Sequence, residues 1–203
     1  MKLYVASHNS DKVREIKDIL QGLDIEIFSA ADVEGSFAPE ETGKSLEENA
    51  LLKARALFKL VGEPVLADDT GLEVDALNGR PGIRSSRYAG ENASYDENVK
   101  RLLEELEDIE EIHRSARFRT VAVLIMGAGI EITTEGRCDG TILRERRGEG
   151  GFGYDPVFLI PEIGKTFSEM ELAEKSALSH RGRAFAGIRD LLTKFLSGEM
   201  ETS

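Results

Sequence analysis

The chain has 203 residues, of which 40% are hydrophobic and 32% are charged, a composition typical of a folded domain and not of a disordered segment. Its net charge of -12 excludes a protein that binds nucleic acid through a broad basic face, and its single cysteine, Cys138, excludes an intrachain disulfide and a cysteine-rich zinc site. The longest apolar run, residues 121–130, is half of the ~20 residues that cross a bilayer, and the first residues lack a signal-peptide pattern, so we expect a cytoplasmic protein without membrane contacts.

The first third of the chain alternates short strands with amphipathic helices. Residues 2–7, 24–30 and 64–69 have the apolar or alternating patterns of strands. The first two strands are each followed by a segment with apolar residues at helical spacing, and Gly22 ends the first of these helices. The helical stripes are Val13, Ile16 and Leu20 in the first segment and Leu46, Ala50, Leu57 and Val61 in the second.

The middle of the chain combines a glycine-containing loop, a helix and a pair of strands. Residues 78–92 contain three glycines and a proline and are predicted to form an exposed loop. Residues 95–108 have the pattern of an amphipathic helix. Two β-rich runs, residues 117–126 and 130–138, flank a turn at 127–129 and predict an antiparallel pair.

The last quarter of the chain is predicted to contain a glycine-rich loop at 148–156, a short strand at 157–160 and a helix from about Ser179 to Leu196. Parallel and antiparallel signals occur together, which favours an α/β protein with a mixed sheet. No repeat or linker divides the chain, so we predict one domain over residues 1–203. The apolar stripe of the last helix consists of Phe185, Ile188, Leu192 and Phe195.

Residues 7–15 predict a phosphate-binding turn, because a strand leads there through a polar turn into a helix start that carries Lys12. Backbone N–H groups and the helix dipole favour an anion at such a position. The segment lacks the paired glycines and the Gly-Lys-Ser/Thr ending of a Walker motif. The alternative interpretation is that Ser10 or Asp11 caps the helix and that Lys12 is solvated.

Acidic residues are concentrated in residues 39–50 and at Asp68 and Asp69, directly after the apolar part of the third strand. Two adjacent aspartates are poor strand formers, and their repulsion requires a cation or hydrogen bonds. Carboxylate oxygens are ligands that Mg²⁺ prefers. Glu47 and Glu48 fit a solvated helix face, whereas at least one of the two aspartates is a candidate for a functional role.

Local positive charge is found near the C-terminal helix, where Lys175, His180 and Arg181 lie close together in sequence and Ser179 can cap the helix. Phe152, in the glycine-rich loop, offers a ring on which a base can stack. A single histidine is more often structural than functional, so His180 alone does not decide between these interpretations.

Together, six segments in order from residue 7 to residue 184 closely resemble the inosine triphosphate pyrophosphatase family, whose members act on noncanonical purine nucleotides. The resemblance implies a two-lobed α/β fold around a long twisted mixed β-sheet with flanking helices, an active site in the cleft between the lobes, and a homodimer. The segments are SHNSDKVRE, EETGKSLEENALLKA, ADDTGLEVDALNGRPGIRSSRYAGE, GRCDGTI, GGFGYDPVF and EKSALSHRGRA.

The resemblance also implies an activity and its residues. The activity is Mg²⁺-dependent hydrolysis of ITP, dITP and XTP to the monophosphate and pyrophosphate, which keeps these nucleotides out of DNA and RNA. Asp69 takes the family's role of proton acceptor and, with Glu40, of metal ligand, although Glu41 stays open as an alternative to Glu40. The implied substrate contacts are Ser7, His8, Asn9, Ser10, Asp11, Lys12, Thr70, Phe152, Gly153, Tyr154, Asp155, Lys175, His180 and Arg181.

Two positions depart from the family pattern, since His8 stands where glycine is common and Thr70 where serine is common. Base selectivity is expected from donors such as Arg181 and His180, which fit the 6-keto oxygen of hypoxanthine or xanthine and not the 6-amino group of adenine. Two rival functions are a nucleotide-binding regulator that has lost hydrolysis and a P-loop kinase or GTPase. The retained Asp69 and Lys12 argue against the first, and the missing Walker ending argues against the second.

Overall fold

The computed structural model describes residues 1–127 and 129–199, so residue 128, in the middle of the predicted turn, lies outside the described residues. None of the helices in the described ranges is long and apolar enough to cross a membrane. The elements, in chain order, are β1 (Lys2–Val5), α1 (Ser10–Ile19), β2 (Glu26–Ser29), α2 (Leu46–Val61), β3 (Val65–Val74), β4 (Pro81–Gly82), α3 (Tyr95–Glu105), β5 (Ser115–Gly127), β6 (Ile130–Ile142), β7 (Phe158–Ile160), β8 (Lys165–Thr166), α4 (Leu172–Leu178) and α5 (His180–Leu196).

In the part of the chain that the structure describes, the strands form an eight-stranded sheet in the order β2-β1-β3-β5-β6-β7-β8, with β4 paired to β3. β1 pairs in parallel with both β2 and β3. The pairs β3–β4, β6–β7 and β7–β8 are antiparallel. The predicted α/β class with a mixed sheet is therefore confirmed.

The chain divides into two compact units, each built from segments that are distant in sequence. Among the described residues, unit 1 comprises 1–69, 120–127, 129–136 and 180–199, and unit 2 comprises 70–119 and 137–179. β3, β5 and β6 each contribute residues to both units. The interpretation of residues 1–203 as one domain stays a prediction.

The core of unit 1 contains the apolar stripe predicted for α1 and that predicted for α5 except Phe195, which is half-buried outside this cluster. Ile16 of α1 and Phe185 and Ile188 of α5 are fully buried in one cluster with Leu3 and Val5 of β1. Burial of a large apolar side chain contributes roughly 1.5–3 kcal/mol, so packing of these stripes stabilises the two helices more than their intrinsic propensity does.

The core of unit 2 is built on α3 and on packed aromatic rings. Phe158 stacks on Phe167 at 5.2 Å between ring centroids, and Phe118 contacts both rings. Arg114 is fully buried and donates hydrogen bonds to the backbone carbonyls of Leu106, Ile109 and Leu143. The guanidinium thereby ties the segment that follows α3 to the residue that follows β6.

The predicted exposed loop at 78–92 is wrong in part. Pro81–Gly82 forms β4, and Ser85 and Tyr88 are buried. The Ser85 hydroxyl donates to the Gly82 carbonyl and accepts from the backbone N–H of Leu72, so the segment is tied to β3. The glycine content of the segment suggested an exposed loop, but strand pairing and these hydrogen bonds hold it against β3.

The third strand is longer than its sequence pattern predicts. β3 continues to Val74, so Asp68 and Asp69 lie inside the strand and not at its end. Both carboxylates are buried, and basic side chains contact each of them. This compensation explains how a strand accommodates two adjacent aspartates.

Candidate functional site

The start of α1 is organised by Asn9, whose side-chain oxygen accepts hydrogen bonds from the backbone N–H groups of Asp11 and Lys12 at 3.0 and 3.2 Å. Asn9 is therefore the helix cap, and the alternative that Ser10 or Asp11 caps the helix is wrong. Lys12 is largely buried, and its Nζ lies 3.1 Å from Asp68 Oδ2. The alternative that Lys12 is solvated is also wrong, because its ammonium group forms an ion pair with a buried carboxylate.

Asp68 connects two basic side chains in unit 1. Its Oδ2 accepts from Lys12 Nζ and, at 3.2 Å, from Arg181 Nη2, while Arg181 Nη1 donates to Glu15. Burial opposes ionisation of Asp68, but Lys12 and Arg181 outweigh it and hold the pKa of its carboxyl well below the usual range. Burial lowers the pKa of Lys12, and Asp68 counteracts this effect. The four side chains form one charged cluster inside the unit.

Asp69 has a separate set of partners. Lys53 Nζ lies 2.6 Å from Asp69 Oδ1 and 3.2 Å from Glu41 Oε1, and the side-chain amide of Asn49 donates to Asp69 Oδ2 at 3.4 Å. Burial raises the pKa of Asp69, and Glu41 adds to the effect, although Lys53 and Lys12 act in the opposite direction. Burial disfavours the charged form of Lys53, yet Asp69, Asp68 and Glu41 raise its pKa overall.

The geometry of α2 explains why Asn49 and Lys53 act together. Residues four apart share one face of a helix, and Ser45 fixes the helix start by accepting from the backbone N–H of Glu48 at 3.1 Å. Asn49 also accepts from the backbone N–H of Gly43 at 2.9 Å, which ties the segment that precedes α2 to the helix. A Cβ atom on Gly43 would come within 2.5 Å of the Asn49 side-chain oxygen, so this close approach requires glycine.

The carboxylates of Glu41 and Asp69 converge on a single ammonium group, whereas Glu40 is exposed. Within the described ranges, no group of three or more His, Cys, Asp or Glu side chains is arranged to hold a metal. Mg²⁺ needs only one or two protein carboxylates when waters and phosphate oxygens complete its coordination. The donor chemistry of Glu41 and Asp69 fits that requirement.

The start of α5 packs against the backbone of β6. A Cβ atom on Gly136 would lie 2.0 Å from the carbonyl oxygen of His180 and 2.4 Å from the backbone nitrogen of Ala184. The Thr134 hydroxyl donates to the Ala184 carbonyl at 2.8 Å. Glycine at the first position of the GRCDGTI segment therefore allows the close contact that holds His180 and Arg181, both 2% exposed, inside unit 1.

Unit 2 contains an aromatic and charged group around Phe152. The Lys175 ammonium forms a buried ion pair with Asp155 and lies 4.8 Å from the centroid of the Phe152 ring and 5.3 Å from that of Phe167. Asp155 also accepts from the backbone N–H of Phe152 at 2.8 Å. Gly151 has a φ of +71°, and a Cβ there would meet the Asp155 carboxylate at 2.2 Å, so the loop needs glycine at this position.

The remaining candidate residues have simpler surroundings. Ser7 accepts from the backbone N–H of Asn9, His8 is exposed with its ring 3.5 Å from the Ser36 hydroxyl, and Tyr154 is buried with its hydroxyl donating to the Ser85 carbonyl.

Glu15, Asn49 and Lys53 were not among the sequence candidates. The signal that could have indicated Asn49 and Lys53 is their polar i,i+4 pair on a helix that otherwise buries apolar residues. Of the candidates, unit 1 contains Ser7, His8, Asn9, Ser10, Asp11, Lys12, Glu40, Asp69, His180 and Arg181, and unit 2 contains Thr70, Phe152, Gly153, Tyr154, Asp155 and Lys175.

Comparison with known proteins shows strong similarity along nearly the whole chain. Residues 3–191 match the Ham1 family. A dITP/XTP pyrophosphatase from Geobacter sulfurreducens is 48% identical over 94% of this chain and 96% of its own, and one from a Thermoanaerobacter species is 45% identical over 97% and 98%. A solved Ham1 protein structure from Coxiella burnetii is 40% identical, with a TM-score of 0.86 over 96% of this chain and 99% of its own. The Staphylococcus aureus Ham1 protein structure is 38% identical, with a TM-score of 0.83 over 98% and 100%.

Proposed function

The chain belongs to the Ham1 family, and we propose on that basis that it is a nucleoside triphosphate diphosphatase that hydrolyses ITP, dITP and XTP to the monophosphate and pyrophosphate. Relatives that are 43–48% identical over nearly the whole chain carry the name dITP/XTP pyrophosphatase. The observation that supports this chemistry best is the ion pair of Lys53 with both Asp69 and Glu41 in unit 1. Lys53 fixes the orientation of the Asp69 carboxylate, and burial raises the pKa of that carboxyl, which suits a proton acceptor in phosphoanhydride hydrolysis.

The triphosphate is recognised by local positive charge in a chain that is otherwise acidic. Lys12 and Lys53 supply ammonium groups, and the Asn9-capped start of α1 supplies backbone N–H groups and the positive end of a helix dipole. Phosphate oxygens would share the two lysines with Asp68, Asp69 and Glu41. An ammonium group has three N–H donors, so each lysine can contact a phosphate oxygen and keep its carboxylate partners.

Glu41 and Asp69 would hold Mg²⁺, and Glu41 is preferred to Glu40 because its carboxylate already shares a cation with Asp69. When bound, the ion neutralises charge on the phosphate oxygens and makes a water molecule easier to deprotonate. Both carboxylates are held in place by contacts from α2, so little reorganisation is needed before the reaction.

Asp69 accepts the proton of the attacking water. The water oxygen forms a bond to the α-phosphorus, the bond from the α-phosphorus to the bridging oxygen breaks, and pyrophosphate leaves with the electron pair of that bond. Burial that raises the pKa of Asp69 makes its carboxylate a stronger base. Asn49 and Lys53 fix the orientation of the carboxylate through one contact to each oxygen.

The base is recognised by Phe152, on which a purine stacks, and by donors that match a 6-keto oxygen. Lys175 lies against the Phe152 ring and is therefore a donor in addition to His180 and Arg181. Arg181 already donates to Glu15 and Asp68, and these two carboxylates fix the guanidinium that is proposed to contact the base. A site that hydrogen-bonds the keto oxygen rejects the 6-amino group of ATP, because buried donors would lose their partners.

The family resemblance also leads us to propose a homodimer that works in the cytoplasm, without nucleic acid or membrane as partners. Sedimentation of the purified protein tests the dimer, which should have twice the mass of one chain.

A panel of nucleotides tests the proposed function. With Mg²⁺, kcat/KM for ITP, dITP and XTP should exceed that for ATP by at least ~10²-fold, and activity should disappear when the metal is chelated. The rival regulator would bind ITP without releasing pyrophosphate. Equal kcat/KM for ITP and ATP would instead indicate a general triphosphatase.

A further inference from the structure

A tyrosine at the start of α3 contacts the ring that is proposed to stack on the base. The ring centroids of Tyr95 and Phe152 are 5.8 Å apart, and the ring planes are tilted by 43°. This geometry lies in the range of favourable aromatic pairs. Tyr95 is 41% exposed, so much of its ring is accessible beside Phe152 within unit 2.

Tyr95 is on a rigid part of the unit. It is the first residue of α3, and the preceding Ser94 forms a reciprocal capping box with Glu97, with bonds of 3.2 and 2.7 Å. One turn into the helix, the side chain of Asn98 accepts from Ala89 N–H and donates to the Ser86 carbonyl. The position of the Tyr95 backbone is therefore determined on both sides.

Phe152 lies between two glycines, and hydrogen bonds of its backbone N–H and carbonyl groups with Asp155 fix the position of its main chain. Its neighbours Gly151 and Gly153 both have a positive φ, of +71° and +62°. A fixed main chain still leaves rotation about the side-chain bonds, so the Phe152 ring depends on its contacts for a defined orientation. Those contacts include the Lys175 ammonium at 4.8 Å from the ring centroid and the Tyr95 ring.

We propose that Tyr95 is a positioning residue for base recognition, which holds the Phe152 ring in place and extends the aromatic surface on which a purine stacks. The inference rests on the proposed function, because it requires Phe152 to contact the base. Base stacking on aromatic rings is sensitive to their orientation and depends little on hydrogen bonding. Tyr95 should therefore affect the affinity for every purine ligand and leave the phosphate chemistry unchanged.

Kinetics of Tyr95→Ala test the proposal. We expect the KM for ITP to rise about three- to ten-fold and kcat to stay within about two-fold of the wild type. The affinity for IMP should fall by the same factor as the KM rises, whereas the affinity for inorganic pyrophosphate should not change. Tyr95→Phe keeps the ring, so its KM for ITP and its affinity for IMP should equal those of the wild type.

Tyr4→Ala is the matched control, because Tyr4 stacks on Phe28 at 5.2 Å in unit 1 and has no assigned part in binding. It removes a comparable aromatic pair and should leave the KM for ITP within about two-fold of the wild type. A KM increase in both alanine variants would overturn the proposal, since the effect would then follow from any lost ring pair.

Tyr95→Trp gives a second readout that does not depend on the stability of the alanine variant. The chain contains no tryptophan, so the introduced indole would be the single reporter of its kind. IMP should change its fluorescence and inorganic pyrophosphate should not.

Unchanged IMP affinity in Tyr95→Ala, equal loss of IMP and pyrophosphate affinity, or an indole that does not respond to IMP would overturn the role of Tyr95 alone. Failure of the wild type to bind IMP and to hydrolyse ITP would overturn the proposed function, and the role of Tyr95 with it. The two failures are distinguishable because the second is observed in the wild type.

Discussion

Lys53 Nζ lies 2.6 Å from Asp69 Oδ1, so the carboxylate proposed to accept the proton has a fixed cation of its own. The same nitrogen lies 3.2 Å from Glu41, which makes Lys53 the link between the two proposed metal ligands. We infer that Lys53 orients Asp69 and also presents positive charge to the substrate.

Lys53→Met, which keeps an unbranched side chain and removes the ammonium group with its charge, should lower kcat for ITP by at least ~10²-fold. The reason is that both the orientation of Asp69 and a phosphate contact are lost. Steady-state kinetics checks this, with Lys59→Met as control, because Lys59 is an exposed lysine on the same helix. Equal activity of the two variants would contradict the role given to Lys53.

Asp69→Asn should lower kcat by at least ~10²-fold, because the amide neither accepts a proton nor binds a cation as a carboxylate does. The shape of the side chain is kept, and Glu41 remains as a carboxylate partner of Lys53, so the protein should stay folded. Turnover of ITP is measured beside a thermal unfolding curve. A folded Asp69→Asn protein with wild-type turnover would transfer the role to Asp68 or Glu41.

Asp68→Ala should mainly affect stability. It leaves Lys12 and Arg181 buried without the carboxylate that both contact, and breaking a buried pair in this way costs about 3–5 kcal/mol. Urea unfolding measures the loss, with Asp139→Ala as control, because Asp139 forms an exposed pair with Arg137 that is worth ~0–1 kcal/mol. Similar losses in the two variants would show that the charged cluster does not stabilise unit 1.

Arg181→Lys tests base selectivity better than truncation to alanine, which would leave Glu15 and Asp68 without their shared guanidinium. If Arg181 donates to the keto oxygen, kcat/KM for ITP, XTP and GTP should fall by about one to two decades, while that for ATP changes little or rises. The four values are measured at one magnesium concentration. An equal fall for all four nucleotides would assign Arg181 to the phosphates or to folding.

Gly136→Ala should destabilise the protein by about 1–3 kcal/mol, because its Cβ would overlap the carbonyl of His180 and force β6 and α5 apart. Gly127→Ala is the control, since a Cβ at that position of β5 meets no atom of the described residues within 4 Å. Thermal unfolding of both variants checks the difference. A Gly136→Ala protein as stable as Gly127→Ala would show that α5 can move away from β6 without cost.

Local sequence patterns predict the long helices and the mixed sheet and fail for short elements. Val13 and Ile16 repeat at helical spacing, and the structure buries both. β4, β8 and α4 are too short for a period to be recognised, and the glycines around β4 suggested a loop.

The partners of the site residues could not be predicted, because they are distant in sequence. Lys12 and Arg181 are 56 and 113 residues from Asp68, so no local pattern indicates that they compensate its charge. When these distant partners are not known, two adjacent aspartates indicate the end of a strand, which is why the predicted strand stops too early. Lys53 was missed for the same reason, since a lysine on a helix is ordinarily solvated.

The identity of the products formed from ITP tests the central claim most directly. The purified protein is incubated with ITP and Mg²⁺, and IMP, IDP, pyrophosphate and phosphate are quantified by chromatography. Attack at the α-phosphorus predicts IMP and pyrophosphate in equal amounts, without IDP. Formation of IDP and phosphate would contradict the account, because it would place the attack at the γ-phosphorus and make the protein a different kind of hydrolase.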